Sequence, residues 1–300
     1  MQIAHIGNTA GVASKIAKEQ RKKGHNVDVF VFDDFTEKRF GGIRINYNSK
    51  IAKFLFHRKL KSYDIWHYHY PYGSLKEKLE KMHQDQIFLK HYHGSDLRGK
   101  YDEDFCLVST PDLLKYAPNA AWLPIPIDLK EIECYRNNTT CNVNSPPLIA
   151  HYPSYGNMRS YNYLYSNVFN RIENENKGKI INILNLSHKE ALKKISYSNI
   201  SIGKILPEMG WFATFELESM ALGKPVMAYV SDELYDLYAP PIFRTTIDTF
   251  EDDLITLLSD ESEMRRLSIE GLKYVEKHHN SQNITDHLYK YYSSEKVMKN

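Results

Sequence analysis

Glu218 lies in Thr214-Phe215-Glu216-Leu217-Glu218-Ser219-Met220-Ala221-Leu222-Gly223, a short helical run among small and apolar residues. A carboxylate so placed costs free energy unless a donor meets it, and the hydroxyls of a ligand are suitable donors. The segment Ala213-Thr214-Phe215 opens this helix, and the unpaired N–H groups of a helix N-terminus favour an anion. The loop Gly7-Asn8-Thr9-Ala10-Gly11 stands at another strand–helix junction, where its two glycines free the backbone. It reads either as an anion-binding turn or as a plain tight turn. Two histidine pairs, His67/His69 and His91/His93, alternate with tyrosines, so each pair shares one face of a strand. Four such imidazoles are one form of metal site, but no Asp or Glu is placed as a clear further ligand, and no metal is expected. Asp102-Glu103-Asp104 reads as a solvated turn before a strand.

Those residues need elements to hold them. Apolar, β-prone runs at 1–6, 26–32, 43–47, 64–70, 86–92 and 104–109 alternate with helical spacing at 12–23, 51–61 and 75–83. The pattern breaks at Leu123-Pro124-Ile125-Pro126-Ile127-Asp128 and in the polar stretch to Pro147. It then restarts with strands at 148–152, 179–184, 199–202 and 225–230, and helices at 159–172, 188–195, 214–222 and over much of 249–293. Strands separated by helices imply parallel βαβ units. The expected organisation is a Rossmann-like domain over 1–125, a linker over 126–146, a second Rossmann-like domain over 147–275, and a C-terminal helix over 276–300 packing back on the first domain. An α/β architecture of this kind places its ligand beyond the carboxyl ends of the strands, in a cleft between the domains.

Composition narrows the function. A net charge of +2 is too small for nucleic-acid binding, and 42% hydrophobic residues suffice for two cores. No long apolar run or signal-type segment is present, so a cytoplasmic protein is expected. Cys106, Cys134 and Cys141 form no disulfide or Cys-x-x-Cys pattern. The stretch Lys50–Lys61 carries five Lys/Arg with Ile51, Phe54, Leu55 and Leu60 between them. It reads as a solvated helix with an apolar core face, or as a basic face for peripheral contact with anionic lipid at the inner side of the membrane.

The block from Gly210-Trp211-Phe212-Ala213 to Ala221-Leu222-Gly223-Lys224-Pro225-Val226 resembles the donor-sugar motif of family 4 glycosyltransferases of the GT-B fold. That motif runs Glu-Gly-Phe-Gly, a few variable residues, then Glu-Ala-Met-Ala-x-Gly-x-Pro-Val. Its second Glu falls on Glu218 and its first on Gly210, so one acid is missing. Gly-Trp-Phe-Ala is similar to a subgroup with Gly-Trp-Tyr-Gly there. His93-Gly94-Ser95-Asp96 resembles the family's His-Gly-Ser-Asp segment, whose His contacts the donor sugar. On the same resemblance His69, Asp96 and Arg98 are acceptor-side candidates. The family's Arg and Lys against the diphosphate fall on Ser154 and Arg159. Lys204 and Glu208 are candidates to replace the missing cation and the missing acid.

The resemblance implies two Rossmann-like domains facing across a cleft. It implies a retaining, metal-independent transfer of a hexosyl-type sugar from a UDP- or GDP-linked donor to a glycan, lipid-linked or small-molecule acceptor, as in cell-surface glycan synthesis. His93, Arg159 and Glu218 would carry the reaction, with Gly11, Lys204, Glu208, Ala213, Thr214, Phe215 and Glu218 holding the donor. The alternative is an inactive GT-B subunit that binds or stabilises another transferase, since one acid and one cation are absent. A GT-B sugar epimerase would share the fold, but its catalytic acids find no match.

Overall fold

The computed structural model describes residues 1–69, 73–83, 85–136, 146–153 and 162–293. The chain divides into two compact units, Met1–Pro126 with His278–Asn300, and Ile127–Lys277. In the first, strands β1 (Gln2–Ile6), β2 (Asn26–Val31), β3 (Ile43–Arg44), β4 (Ile65–Tyr68), β5 (Ile87–Tyr92), β6 (Leu107–Val108) and β7 (Ala121–Trp122) form one sheet in the order β3-β2-β1-β4-β5-β6-β7. Every neighbouring pair is parallel. Helices α1 (Val12–Lys22), α2 (Asp34–Phe40), α3 (Lys50–Leu60) and α4 (Gly73–Met82) make the crossovers.

In the second unit, α5 (Leu129–Arg136) precedes β8 (Leu148–His151), α6 (Asn162–Asn174), β9 (Lys179–Asn182), α7 (His188–Ser196), β10 (Ile200–Ile202), α8 (Thr214–Ala221), β11 (Val226–Ala228), α9 (Asp232–Tyr238), β12 (Phe243–Arg244), α10 (Phe250–Ser259) and α11 (Glu261–His278). Its sheet, again parallel throughout, is ordered β12-β11-β10-β8-β9. The chain then returns to the first unit as α12 (Ser281–Tyr292), whose Ile284, Leu288 and Tyr292 are buried.

The cores follow from the strand runs. Ala4, Ile6, Phe30, Trp66 and Tyr68 meet Phe56, Leu60, Leu75 and Leu79 from the helices of the first unit. The Trp66 indole N–H donates to the Leu60 carbonyl at 2.8 Å, so the largest ring in this core leaves no unpaired donor. In the second unit Ile149, Ile200, Ile202 and Met227 pack with Phe169, Ile172, Phe250 and Leu254. Each such side chain contributes about 1.5–3 kcal/mol when fully buried.

Several elements differ from expectation. The strand expected at 104–109 is confined to Leu107–Val108, and that at 43–47 to Ile43–Arg44. Both lie toward the edge of the sheet, where fewer neighbours hold the backbone extended. Residues 126–146, read as a linker, contain helix α5. Helix α3 also turns its apolar residues unexpectedly. Phe56 and Leu60 are buried, but Ile51, Phe54 and Leu55 are 74%, 65% and 54% exposed. Phe56 and Leu60, four apart, already fill the stripe that faces the core, so the other three point outward with Arg58. The free face is therefore apolar and basic together, not basic alone.

Candidate functional site

In the second unit, β10 ends at Ile202 and the chain passes through Gly203 and Lys204 to Gly210, then into α8. Glu216 organises this turn. Its Oε1 accepts from the Lys204 backbone N–H and its Oε2 from the Ala213 N–H, both at 2.9 Å, and the residue is 1% exposed. A Cβ at Gly203 would stand 2.5 Å from the Glu216 side chain, so only glycine fits beside it. Glu216 belongs to the same motif block but no role was expected of it. It is the internal fastener of the loop that carries Lys204 and the start of α8.

Glu218, two residues on, is buried, and its Oε1 lies 2.8 Å from Nε2 of His188. His188 opens α7, which Ser187 and Glu190 cap reciprocally. The other ring nitrogen of His188 lies 3.7 Å from Glu131 of α5. Three helices thus meet around one carboxylate. Sequence reasoning passed over His188, because nothing local relates residue 188 to residue 218. Of the remaining donor-side candidates, Ala213, Thr214 and Phe215 stand half-buried at the N-terminal end of α8, Lys204 is half-buried and Glu208 is exposed. Gly210 has φ +67°, and a Cβ there would lie 3.3 Å from Ser231 Oγ. A glutamate at this position would be strained, which is a conformational reason for the missing acid. Ser154 and Arg159 lie outside the described residues.

In the first unit Gly11, at φ +74°, is the residue before α1, and a Cβ on it would meet the Phe40 ring at 2.8 Å. Asn8 holds the loop by donating to Ser14 Oγ at 2.8 Å and accepting from the Ser14 N–H at 3.1 Å. Asp96 accepts from the backbone N–H groups of His93 (2.8 Å) and Gly94 (2.6 Å), which closes the turn after β5. Arg98 pairs with the buried Asp112 at 2.7 Å. Of the three acceptor-side candidates, Asp96 is therefore engaged within its own turn and Arg98 with a residue fourteen positions on. Asp102 and Asp104, read as a solvated turn, instead flank Lys90 at 2.8 and 2.7 Å, and Asp102 also accepts from the Tyr92 hydroxyl at 2.6 Å. Burial opposes ionisation of Asp102, but the hydrogen bonds from Lys90 and Tyr92 outweigh it and hold the carboxyl below its usual range.

The two histidine pairs come together with a fifth imidazole, His5. Strand order sets β1 beside β4 and β4 beside β5, with His5 in register with His67. His5 Nδ1 and His69 Nε2 are 2.9 Å apart, His69 Nδ1 and His93 Nε2 3.0 Å, and His67 Nε2 and His91 Nδ1 3.2 Å. Ser109 Oγ joins His93 Nδ1 at 2.7 Å and His91 Nε2 at 3.0 Å. His5 Nε2 reaches Gln20 Oε1 of α1 at 2.8 Å, and His67 Nδ1 reaches the Tyr292 hydroxyl of α12 at 2.9 Å. Burial pushes the imidazoles of His5 and His93 down to about 4, and those of His67, His69 and His91 well below the ordinary histidine value. Neutral imidazoles are the result. Two triads, His5/His67/His69 and His69/His91/His93, bring nitrogens within 4.8 Å of one another, close enough for a transition metal. In this arrangement those nitrogens already serve each other as donors and acceptors. For the same reason neither His69 nor His93 has a ring nitrogen uncommitted to the protein.

No protein-family model matches the chain, and no curated protein sequence does. Solved structures do. HepE of Anabaena, determined with UDP-glucose, is similar over 98% of this chain and 99% of its own, at 12% identity and a TM-score of 0.67. A sucrose-phosphate synthase from Thermosynechococcus elongatus shares 12% identity over 97% of this chain and 98% of its own, with a TM-score of 0.66. A glycosyltransferase from Rickettsia africae shares 14% identity over 100% and 99%, with a TM-score of 0.65. The two parallel sheets and their helices are therefore those of the GT-B glycosyltransferase fold.

Proposed function

We propose that this chain is a glycosyltransferase that takes its sugar from a nucleoside-diphosphate donor bound on the second unit. The observation that carries the reading is Glu218, a buried carboxylate on α8 steadied by His188 of α7. A carboxylate held this way accepts charge-assisted hydrogen bonds from the paired hydroxyls of a ribose. The amides of Ala213, Thr214 and Phe215 suit the diphosphate, and Lys204 supplies a cation on the adjoining turn. HepE was determined with UDP-glucose, which supports a UDP-linked donor. The resemblance to family 4 supports retention of configuration without a metal, with Arg159 against the leaving phosphate; His93, both of whose ring nitrogens are bound to Ser109 and His69, offers the sugar no ring hydrogen bond in this arrangement. The test is calorimetry of the wild-type protein with UDP and with GDP, each in excess EDTA. Micromolar-range binding of one of them is expected. Absence of binding by both, or binding restored only by manganese or magnesium, would overturn the reading.

A second reading, a binding subunit without turnover, is favoured by Gly210 alone, whose backbone conformation resists the family's first glutamate. Nucleotide binding without hydrolysis or transfer of the sugar would support it.

The acceptor side of the proposal is a lipid-linked substrate presented at an anionic membrane surface. Its support is the outward face of α3, where Ile51, Phe54 and Leu55 are exposed beside Arg58. Such a face suits shallow insertion, each cation adding about 1 kcal/mol near anionic lipid. No described helix is long and apolar enough to cross a membrane. The wild type is expected to sediment with phosphatidylserine-containing vesicles at low salt and not with neutral ones. Replacing Ile51, Phe54 and Leu55 by serine should weaken attachment about tenfold or more. Equal sedimentation of both proteins would leave a soluble acceptor as the better assignment.

A further inference from the structure

The histidine cluster closes on itself. Gln20 Nε2 donates to the Tyr292 hydroxyl at 3.3 Å, and this last link joins the two ends of the chain of contacts. The circuit runs Gln20–Tyr292–His67–His91–Ser109–His93–His69–His5 and back to Gln20, eight groups joined by eight hydrogen bonds. Each bond requires one proton. Five neutral imidazoles supply one each, Ser109 and Tyr292 supply one each, and the Gln20 amide supplies the eighth. Supply equals demand only when every imidazole is neutral.

The side-chain amide of Gln20 also fixes the direction. Its NH2 faces Tyr292 and its oxygen faces His5. The Tyr292 O–H must then donate to His67 Nδ1, so His67 carries its proton on Nε2 and donates to His91 Nδ1. His91 Nε2–H donates to Ser109, whose O–H donates to His93 Nδ1. His93 Nε2–H donates to His69 Nδ1, His69 Nε2–H to His5 Nδ1, and His5 Nε2–H to the Gln20 oxygen. We propose that Gln20 is the positioning residue of a closed, one-way hydrogen-bond ring that holds five histidines neutral as Nε2–H tautomers and fastens α1 and α12 to strands β1, β4 and β5. The ring stands whether or not the second unit binds a nucleotide sugar.

The strand face it occupies would ordinarily be apolar, because both faces of a parallel sheet are covered. Buried imidazoles are tolerable there only when every donor and acceptor is matched, and a half-matched network costs more than an apolar one. His93, the half-buried member, turns its Nε2–H inward to His69 and holds the turn that Asp96 closes. The charged groups that bear on the ring are Arg21 at His5, which disfavours a proton, and Asp96 at His93, which favours one.

Glutamate at position 20 provides the test, since it keeps the shape of glutamine. Its ionised carboxylate accepts from both His5 and Tyr292 and donates to neither. Seven protons then remain for eight bonds, and the ring must take up an eighth, either as an imidazolium or on the new carboxyl itself. Two-dimensional 15N–1H spectra of the imidazole rings, recorded at pH 7 on the full chain without added metal, separate the two tautomers and the charged form. In the wild type all five ring histidines should be neutral Nε2–H. In folded Gln20→Glu either one ring histidine should be charged, with every histidine between it and Tyr292 protonated on Nδ1, or the carbon-13 shift of the new carboxyl should show it protonated at pH 7. Nδ1–H or charged rings among the five in the wild type, or a Gln20→Glu protein whose new carboxyl is ionised while its imidazole spectra are unchanged from wild type, would overturn the proposal. So would a stoichiometric transition metal found in the purified wild-type protein. If Gln20→Glu does not fold, Tyr292→Phe serves instead. It removes the donor to His67 Nδ1, so the His67 Nδ1 resonance should move to that of an imidazole nitrogen without a donor while all five histidines stay neutral Nε2–H; an unmoved His67 Nδ1 resonance would overturn the proposal.

Discussion

Lowering the pH from 7 to 5 is expected to unfold the first unit well before the second. Burial lowers all five ring histidines in the folded state, His5 and His93 to about 4 and His67, His69 and His91 well below the ordinary value of 6.5 that holds in the unfolded chain. Between those values the unfolded chain binds more protons than the folded one, so stability falls as pH falls through this window. Above 6.5 these groups leave stability independent of pH. His5 and His93 withdraw about 2 kcal/mol each by pH 5, and His67, His69 and His91 act in the same direction. The combined loss is a large share of the stability of an ordinary domain, about 5–15 kcal/mol. His57 and His279 of the same unit are lowered by burial in the same direction, both to about 4. In the second unit His151 is lowered to about 4, so its loss on the same count is about 2 kcal/mol. Scanning calorimetry as a function of pH should show two transitions, the lower moving down steeply below pH 6.5. A lower transition that stays in place from pH 7 to 5 would contradict the buried, neutral state of these imidazoles.

Glu218→Ala should weaken nucleoside-diphosphate binding by tenfold to a hundredfold while the second unit stays folded. A hydrogen bond to a charged group contributes about 1.5–3 kcal/mol, so the net loss of one such bond to the ribose accounts for this range. Alanine is the strongest helix former, and the core side of α8 is filled by Leu217, Met220 and Ala221, so the helix survives the change. His188→Ala should have a smaller effect in the same direction, because His188 steadies the carboxylate at 2.8 Å and need not touch the ligand. Calorimetry on both variants, with retention of the second thermal transition as a control, measures the difference. Unchanged affinity in folded Glu218→Ala would remove Glu218 from the site.

Much of the frame was legible without coordinates. Strand runs such as Asn26–Val31 and Ile87–Tyr92 betray themselves by composition, and helices such as α1 and α7 by their spacing and by stops such as Gly24. These signals are local, with a period of two or 3.6, and depend little on what lies across the fold. Short edge strands such as β3, β6 and β12 carry too few residues for any period to show.

The sequence by itself determined two alternating α/β arrays, a carboxylate at 218 on a helix after a strand, and histidine pairs that share a strand face. Tertiary structure alone decided what those groups meet. Strand order, which no local period encodes, set β1 between β2 and β4 and so brought His5 beside His67. The return of α12 brought Tyr292 to a ring whose other members end at residue 109. The packing of α7 on α8 gave Glu218 the partner His188. On α3 the two residues that reached the core left Ile51, Phe54 and Leu55 outside. Hydrophobic patterning says that a face is buried or exposed. Which polar atom a buried donor finds is settled only when distant segments are brought within about 3 Å, because a hydrogen bond has no reach beyond that distance.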